Sequence, residues 1–295
     1  ENITLGRVLF YDNALSFNNQ ISCGSCHFQE KGFADNVKFH KGVTGNNLKR
    51  NTLSITGNNF LMFWDGRANS MQDLVLKPVA NHEEMMQDPN ALVNKIKQIA
   101  YYKDLFVKAY GDDEINLERI ENALASFSVC IVPSQTKFDV GIANLFNQIG
   151  FNFIDSTSSL SNFNAQENKG MSLFYGKARC GNCHHPEIIT GYYGGEPYAN
   201  IGLDLDYSDK GLGSLANDAA QNGKFKIPNI RNIALTAPYM HDGRFNTLEE
   251  VVEHYNSRIK PNANLSYHLY QNGTNSNTTV VSPVRLGLSG DEKNA

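Results

Sequence analysis

The chain has 295 residues, enough for two domains of ordinary size, and 41% of its residues are hydrophobic, which is sufficient for buried cores. Charged residues make up 19% and the net charge is −4, with no basic run that would indicate a nucleic acid partner. No apolar run approaches the roughly 18 residues of a membrane-spanning helix. We therefore expect neither a nucleic acid partner nor a membrane span.

The first predicted element is a helix that leads into a cysteine motif. Residues 6–11 read G-x-x-L-F-Y, and residues 23–27 read Cys-Gly-Ser-Cys-His. Cys-x-x-Cys-His is the attachment signature of c-type haem, in which two thiols bond the porphyrin and the histidine ligates the iron from one face. We predict a first covalent haem on Cys23 and Cys26, with His27 as its iron ligand.

A loop rich in glycine and asparagine follows this motif, as at residues 42–47, and leads to the sequence Trp-Asp-Gly-Arg at residues 64–67. Beyond it, apolar residues at helical spacing predict helices over residues 91–110 and 117–132. The second of these helices contains Cys130, which we expect to be a buried and unreactive thiol. Residues 133–161 are rich in Asn, Ser and Gly and predict a linker.

The second half of the chain repeats the first. Residues 170–175 again read G-x-x-L-F-Y, and a second covalent haem is predicted on Cys180 and Cys183, with His184 as its iron ligand. An Arg-Asn pair and an Asp-Gly-Arg turn follow each motif, and Thr247 with Glu250 forms a capping box. The fold class is therefore mainly α: two cytochrome c-like haem domains, residues 1–150 and 151–295, related by an internal repeat and carrying long loops.

Superposing the two repeats on their Asp-Gly-Arg turns predicts how the two haems differ. Thirteen residues beyond Asp65 lies Pro78, and thirteen beyond Asp242 lies Tyr255. A proline cannot ligate iron, whereas a tyrosine phenolate can. The repeats predict one haem with an open face, where a small molecule can react, and one haem that is closed by a ligand.

These segments resemble the bacterial dihaem cytochrome c peroxidase superfamily, which includes MauG. The resemblance covers nearly the whole chain, from L-G-R-x-L-F-Y-D at residues 5–12 to Tyr255. Its most specific parts are the paired haem motifs, the sequence F-W-D-G-R-A at residues 63–68, and L-T-A-P-Y-M-H-D-G-R at residues 235–244. The resemblance implies a peroxidatic haem in the first half and an electron-transfer haem in the second.

Roles for three further residues follow from the resemblance. Trp64 matches the tryptophan that couples the two haems, and Glu84 matches the distal glutamate that relays protons during peroxide cleavage. Tyr255 stands where most members have a methionine and where MauG has a tyrosine, although the adjacent His254 is an alternative ligand. Glu83 is next to Glu84, so the assignment of the distal carboxylate depends on the register.

His40 and Leu74 stand at positions where members of the family differ. His40 occupies the loop in which some members carry a distal histidine, but the usual Gly-His pair is absent, so we expect an exposed loop histidine. Leu74 stands where MauG has a glutamine. A calcium ion is implied as well, with the side-chain oxygen of Asn51 and the backbone carbonyls of Thr236 and Pro238 as ligands.

Three functions are compatible with these residues. The first is a peroxidase that reduces hydrogen peroxide with electrons from a small cytochrome c or a cupredoxin. The second is a MauG-like enzyme that oxidises residues of a partner protein, and the third is a dihaem electron carrier with both irons closed. Covalent haem is assembled outside the cytoplasm, so we expect an exported, periplasmic protein that has lost a leader and been trimmed at both ends. Family members are often homodimers, and we keep a dimer as a possibility.

Overall fold

In the computed structural model, residues 1–57, 62–149, 154–184, 197–271 and 282–295 are described. The mainly α fold class is confirmed. The helices are α1 (Asn2–Tyr11), α2 (Met71–Val75), α3 (Lys77–Ala80), α4 (Pro89–Lys97), α5 (Ala100–Tyr110), α6 (Leu117–Val129), α7 (Lys137–Ile149), α8 (Ala165–Tyr175), α9 (Leu212–Ala216), α10 (Leu248–Glu253) and α11 (Gly290–Lys293). Two short antiparallel strands, β1 (Tyr198–Ala199) and β2 (Phe225–Lys226), pair Tyr198 with Lys226. Among the described residues, no helix is long and apolar enough to span a membrane.

The chain forms two compact units, each made of segments that are distant in sequence. Unit 1 comprises residues 1–63, 68–132 and 232–246, and unit 2 comprises residues 64–67, 133–231 and 247–295. The sequence-based boundary between residues 150 and 151 lies outside the described residues and stays a prediction. Within unit 1, helices α1, α4, α5 and α6 enclose a core that includes Leu5, Leu9, Leu92, Ile96, Phe106, Ile120 and Leu124.

The internal repeat is visible in the backbone. Bridges between Met62 and Ala68 and between Tyr239 and Phe245 stand at equivalent positions around the two Asp-Gly-Arg turns. Each turn contains an ion pair between its own aspartate and arginine. Ser70 caps α2 and Thr247 caps α10, the latter in the predicted capping box with Glu250. The two turns therefore fold alike and start equivalent helices.

Two predictions about secondary structure were wrong in part. The helix predicted over 91–110 is two helices, α4 and α5, which are separated at Gln98 and Ile99. The linker predicted over 133–161 contains α7, because Phe138, Gly141, Ile142 and Leu145 recur at helical spacing on its less exposed face.

Cys130 is exposed rather than buried, since it is the C-cap residue at the end of α6 and lies beyond Ser128, the last buried residue of that helix. Its apolar neighbours misled the sequence argument. Val129 and Val132 are themselves about half exposed, at 48% and 54%.

Candidate haem-binding and proton-relay site

Each cysteine motif folds as a short 3₁₀ turn followed by its histidine. The first turn spans Cys23–Ser25 and is held by a reciprocal pairing of Ser22 with Ser25. His27 is half-buried, and its Nδ1 is 2.9 Å from the backbone carbonyl oxygen of Phe33. Burial lowers the pKa of His27, so the imidazole is neutral. With Nδ1 donating to a carbonyl, Nε2 is the nitrogen available to a metal.

The second motif has the same construction. Its turn spans Cys180–Asn182, and His184 donates a hydrogen bond to the backbone of Pro228. Burial lowers the pKa of His184 to about 4, so this imidazole is neutral as well. Two thiols with an oriented, neutral histidine at each motif form the donor set that a c-type haem requires.

A tyrosine from the preceding helix lies against the glycine of each motif. A Cβ atom built on Gly24 would lie 2.4 Å from Cδ1 of Tyr11, and one built on Gly181 would lie 2.5 Å from Cδ1 of Tyr175. Neither position therefore accepts a larger residue without displacing the ring. The repeated G-x-x-L-F-Y sequence provides these tyrosines, whose packing the sequence analysis missed.

Two carboxylates lie near the first motif, those of Asp35 and Glu84. Burial raises the pKa values of the Cys23 and Cys26 thiols, and the negative charge of Asp35 raises that of Cys26 further. The half-buried Glu84 makes a smaller contribution, and it acts on both thiols. Glu83 points elsewhere, since its side chain is 55% exposed and forms an ion pair of 2.7 Å with Lys49. These contacts distinguish the two adjacent glutamates, because only Glu84 lies near the thiols of the first motif.

The carboxyl group of Glu84 is held by a residue that the sequence analysis did not identify. Asn81 Nδ2 donates to Glu84 Oε1 at 2.8 Å, and Asn81 Oδ1 accepts from the backbone N–H of Glu83 at 3.0 Å. The loop after the first motif packs on this turn, because Val43 N donates to Glu84 O at 2.7 Å. A Cβ on Gly42 would lie 1.7 Å from the Glu83 carbonyl oxygen, so this close approach requires glycine.

Tyr255 lies beside the second motif. Burial raises the pKa of its phenol above the ordinary value, and the charges of Cys183 and Cys180 contribute to the increase. The ring packs on a small apolar cluster that includes Ile259 and Leu265. Iron ligation by Tyr255 would therefore need the positive charge of the metal to displace the phenolic proton.

The neighbouring histidine is engaged elsewhere. His254 is buried, and its Nε2 lies 2.8 Å from the backbone carbonyl oxygen of Ile201. Both residues belong to a π-helical turn, His254–Arg258, that continues α10. Wider turns of this kind are frequent at functional sites. This hydrogen bond favours Tyr255 over His254 as the ligand.

His40 is not the exposed loop residue that the sequence predicted. Its side chain is 20% exposed, and Nδ1 lies 3.2 Å from Oδ2 of the buried Asp35. Asp35 also accepts a hydrogen bond from Thr52 at 2.7 Å, and the contacts with His40 and Thr52 lower its pKa against the effect of burial. His40 is therefore held by a carboxylate.

The three residues assigned to calcium belong to unit 1. Asn51 is buried, and its backbone N–H donates to His241 O at 2.7 Å, which places it against the segment 232–246. The side chain of Asn36 also binds this segment, because its Nδ2 donates to the carbonyls of Leu235 and Ala237. The carbonyls of Thr236 and Pro238, which follow these two residues in the chain, are the ones that the resemblance assigns to the calcium ion.

Trp64 belongs to unit 2 and is partly buried. Its carbonyl oxygen accepts a hydrogen bond of 2.8 Å from the backbone N–H of Lys226. The Lys226 side chain is buried, and desolvation lowers its pKa to about 8. This buried lysine was not identified from the sequence, in which it stands in a short apolar run without a recognisable motif.

Two cysteine motifs with neutral, hydrogen-bonded histidines, in a mainly helical fold with an internal repeat, define a protein of the dihaem cytochrome class. A family model described as di-haem cytochrome c peroxidase matches residues 1–144. A cytochrome c551 peroxidase of Nitrosomonas europaea is 32% identical over 256 residues, which cover 84% of this chain and 71% of that protein. The methylamine utilization protein MauG of Methylophilus methylotrophus is 30% identical over 268 residues, covering 90% and 75%.

Solved structures agree with these relatives. A MauG-like protein associated with microbial copper homeostasis superposes with a TM-score of 0.78 at 27% identity, covering 99% of this chain and 86% of that one. The diheme peroxidase BthA from Burkholderia thailandensis, at 21% identity and a TM-score of 0.70, shares the fold. The chain belongs to the di-haem cytochrome c peroxidase family, which includes MauG, and is an oxidoreductase of a family that binds two haems.

Proposed function

We propose that the protein reduces hydrogen peroxide to water at the first motif, with Glu84 as the acid–base group. One asymmetry between the two motifs carries the proposal. Beside the first motif lies a half-buried carboxylate held by Asn81, and beside the second lies the phenol of Tyr255. A carboxylate suits proton transfer, and a phenol suits ligation of iron.

The donor sets support two covalent c-type haems. At each motif two thiols flank a turn that ends in a half-buried, neutral imidazole, which donates a hydrogen bond to a backbone carbonyl. A haem bound there supplies the iron and the electron exchange that peroxide reduction needs. The residues that would hold the two haems are Cys23, Cys26 and His27 for the first and Cys180, Cys183, His184 and Tyr255 for the second.

Glu84 performs the proton transfers in this proposal. Cleavage of the O–O bond requires one peroxide oxygen to lose a proton and the departing oxygen to gain one. A single carboxylate within reach of both oxygens accepts the first proton and returns it to the second. Asn81 holds Oε1 at 2.8 Å, so the group approaches peroxide in one orientation.

The second motif would receive and store oxidising equivalents. A phenolate ligand from Tyr255 favours ferric and higher oxidation states, unlike the methionine of most members. The enzyme should therefore react with peroxide in the fully ferric state. Electrons would come from an external donor, a small cytochrome c or a cupredoxin, and Trp64 would couple the two haems, as the resemblance implies. Covalent haem attachment supports a periplasmic location.

We also propose a calcium ion held by Asn51 Oδ1 and the carbonyl oxygens of Thr236 and Pro238. Neutral oxygen ligands completed by water suit calcium. The close packing of Asn51 against the segment 232–246, by its 2.7 Å hydrogen bond to His241, supports this assignment. A homodimer stays a prediction.

Stopped-flow mixing of the fully ferric holoprotein with peroxide tests the proposed reaction. We expect a rapid change in the spectra of both haems without prior reduction, and steady turnover when a reduced small cytochrome c is added. The ferric EPR spectrum should contain one five-coordinate haem and one closed haem. Two closed haems that do not respond to peroxide would instead identify an electron carrier.

A MauG-like oxidation of a partner protein is the second candidate, and the tyrosine at position 255 favours it. Both functions use the same haem-binding residues. They differ in the source of electrons, which is a small redox protein in one case and side chains of a partner protein in the other. Turnover with reduced cytochrome c at a rate comparable to peroxide consumption indicates the peroxidase. Slow turnover with that donor, together with oxidised side chains on a co-purified partner, indicates the modifying enzyme.

A further inference from the structure

Tyr11 connects the first haem motif to the protein surface. Its ring lies against Gly24, where an added Cβ would come within 2.4 Å of Cδ1, and 44% of the residue is exposed. Gly24 lies between the two cysteines that would bond the haem. Tyr11 is thus in contact with the attachment turn on one side and with solvent on the other.

Tyr11 is also connected, through Phe10, to His27, the predicted iron ligand of the first haem. The ring centroids of Tyr11 and Phe10 are 5.0 Å apart in an edge-to-face arrangement, and those of Phe10 and His27 are 6.4 Å apart. Phe10 is buried. Electron transfer between Tyr11 and the haem pocket needs only these contacts and a few covalent bonds.

The surroundings of Tyr11 determine how its proton is handled. Burial raises the pKa of the phenol, the negative charge of Glu30 raises it further, and Arg7 lowers it. The phenol is therefore protonated at neutral pH, and its one-electron oxidation must release a proton. Solvent at the exposed edge is available as the acceptor.

The second repeat provides an internal comparison. Tyr175 packs on Gly181 in the same way, with 2.5 Å for the corresponding contact, and its ring centroid is 5.1 Å from that of Phe174. Tyr175 is only partly exposed, however, and burial raises the pKa of its phenol strongly. The two tyrosines share a contact with the motif and differ in access to solvent.

We infer that Tyr11 is a surface oxidation site at which electron-rich phenols too large for the haem pocket deliver electrons to the first haem. This inference rests on the proposed peroxide reduction, which supplies the oxidant. Tyr11 gives one electron towards the haem and its Oη proton to water. The O–H bond of the donor phenol then breaks, its hydrogen atom restores Tyr11, and a phenoxyl radical leaves. Two such transfers supply the two electrons and two protons that convert one peroxide into two waters.

The test uses the ferric holoprotein and its Tyr11→Phe variant. After one equivalent of peroxide without donor, freeze-quench EPR should show a tyrosyl radical in the wild type, and a nitroso spin trap should be found on Tyr11 by mass spectrometry. In the variant, both signals should be lost, and kcat/KM for a phenol too large for the haem pocket should fall at least about tenfold. The rate of the reaction with peroxide itself should change less than about twofold.

Two matched variants serve as controls. Tyr175→Phe removes the counterpart of Tyr11 in the second repeat, which is less exposed to solvent. Tyr101→Phe removes a tyrosine of α5 that is 51% exposed and hydrogen-bonded to Asp12. Both should oxidise the phenol as the wild type does. Normal phenol oxidation by Tyr11→Phe, or a spin trap on another residue, would overturn this inference alone. A wild-type protein that does not react with peroxide would overturn the proposed function as well.

Discussion

Replacing Glu84 and Glu83 in turn by glutamine compares two adjacent carboxylates in very different surroundings. Glu84 is half-buried beside the first motif and held by Asn81, whereas Glu83 is 55% exposed and paired with Lys49, whose side chain is 78% exposed. Both substitutions keep the size of the side chain and remove one negative charge. They differ in whether the lost group can reach bound peroxide.

The expected magnitudes follow from these contacts. A positioned acid–base group contributes about 10²–10⁴-fold to a rate, so Glu84→Gln should slow the reaction of the ferric protein with peroxide by that factor. This loss corresponds to about 3–5 kcal/mol in the activation free energy. The amide oxygen of glutamine still accepts the Asn81 hydrogen bond, so the free energy of unfolding should fall by less than about 1 kcal/mol. Glu83→Gln removes a surface ion pair worth about 0–1 kcal/mol and should leave the rate unchanged.

The assay is the second-order rate constant for peroxide, measured by stopped flow, together with urea unfolding of each variant. Unfolding separates loss of chemistry from loss of structure. If the two variants react with peroxide at the same rate, or if Glu83→Gln is the slower one, the assignment of Glu84 is wrong.

Three further predictions concern other parts of the molecule. Tyr255→Met should raise the reduction potential of the second haem, so that ascorbate reduces it while the wild type stays ferric; equal potentials by redox titration would exclude ligation by Tyr255. Hydrogen bonds from Arg231 lower the pKa of Asp139 to about 2, so the pair stabilises the fold above pH 4 and this contribution is lost as the pH falls towards 2. After allowance for solvent screening, Arg231→Gln should cost about 1–2 kcal/mol in urea unfolding at pH 6 and almost nothing near pH 2, and a pH-independent difference would contradict this. Calcium at one hundred times its Kd should add about 2.7 kcal/mol to stability, and chelation should lower the Tm of the wild type but not of Asn51→Ala.

The sequence predicted the features that depend on local chemistry. The haem motifs need a fixed spacing of Cys and His, and the capping box at Thr247 needs a fixed spacing of Thr and Glu. The equivalence of Pro78 and Tyr255, which the alignment of the repeats predicts, stays a prediction. These signals are contained within a few consecutive residues or within two comparable copies.

The remaining features depend on contacts that no short pattern contains. Exposure of Cys130 depends on where α6 ends, and the contact of His40 with Asp35 depends on how the loop after the first motif closes. The difference between Glu83 and Glu84 also requires the turn that Asn81 stabilises. Adjacent residues of the same type cannot be distinguished by pattern alone, because the backbone direction decides which one faces the site.

The discontinuous composition of the two units has a consequence for biosynthesis. Residues 232–246 belong to unit 1, where the backbone of Asn51 and the side chain of Asn36 hydrogen-bond to them. Unit 1 therefore cannot be completed until residues 232–246 have reached the compartment in which the protein folds, after most of unit 2. Domains of many proteins fold in order from the N-terminus, but unit 1 of this protein must wait for a late segment. Cutting the chain between the two repeats would remove residues 232–246 from unit 1 and residues 64–67 from unit 2.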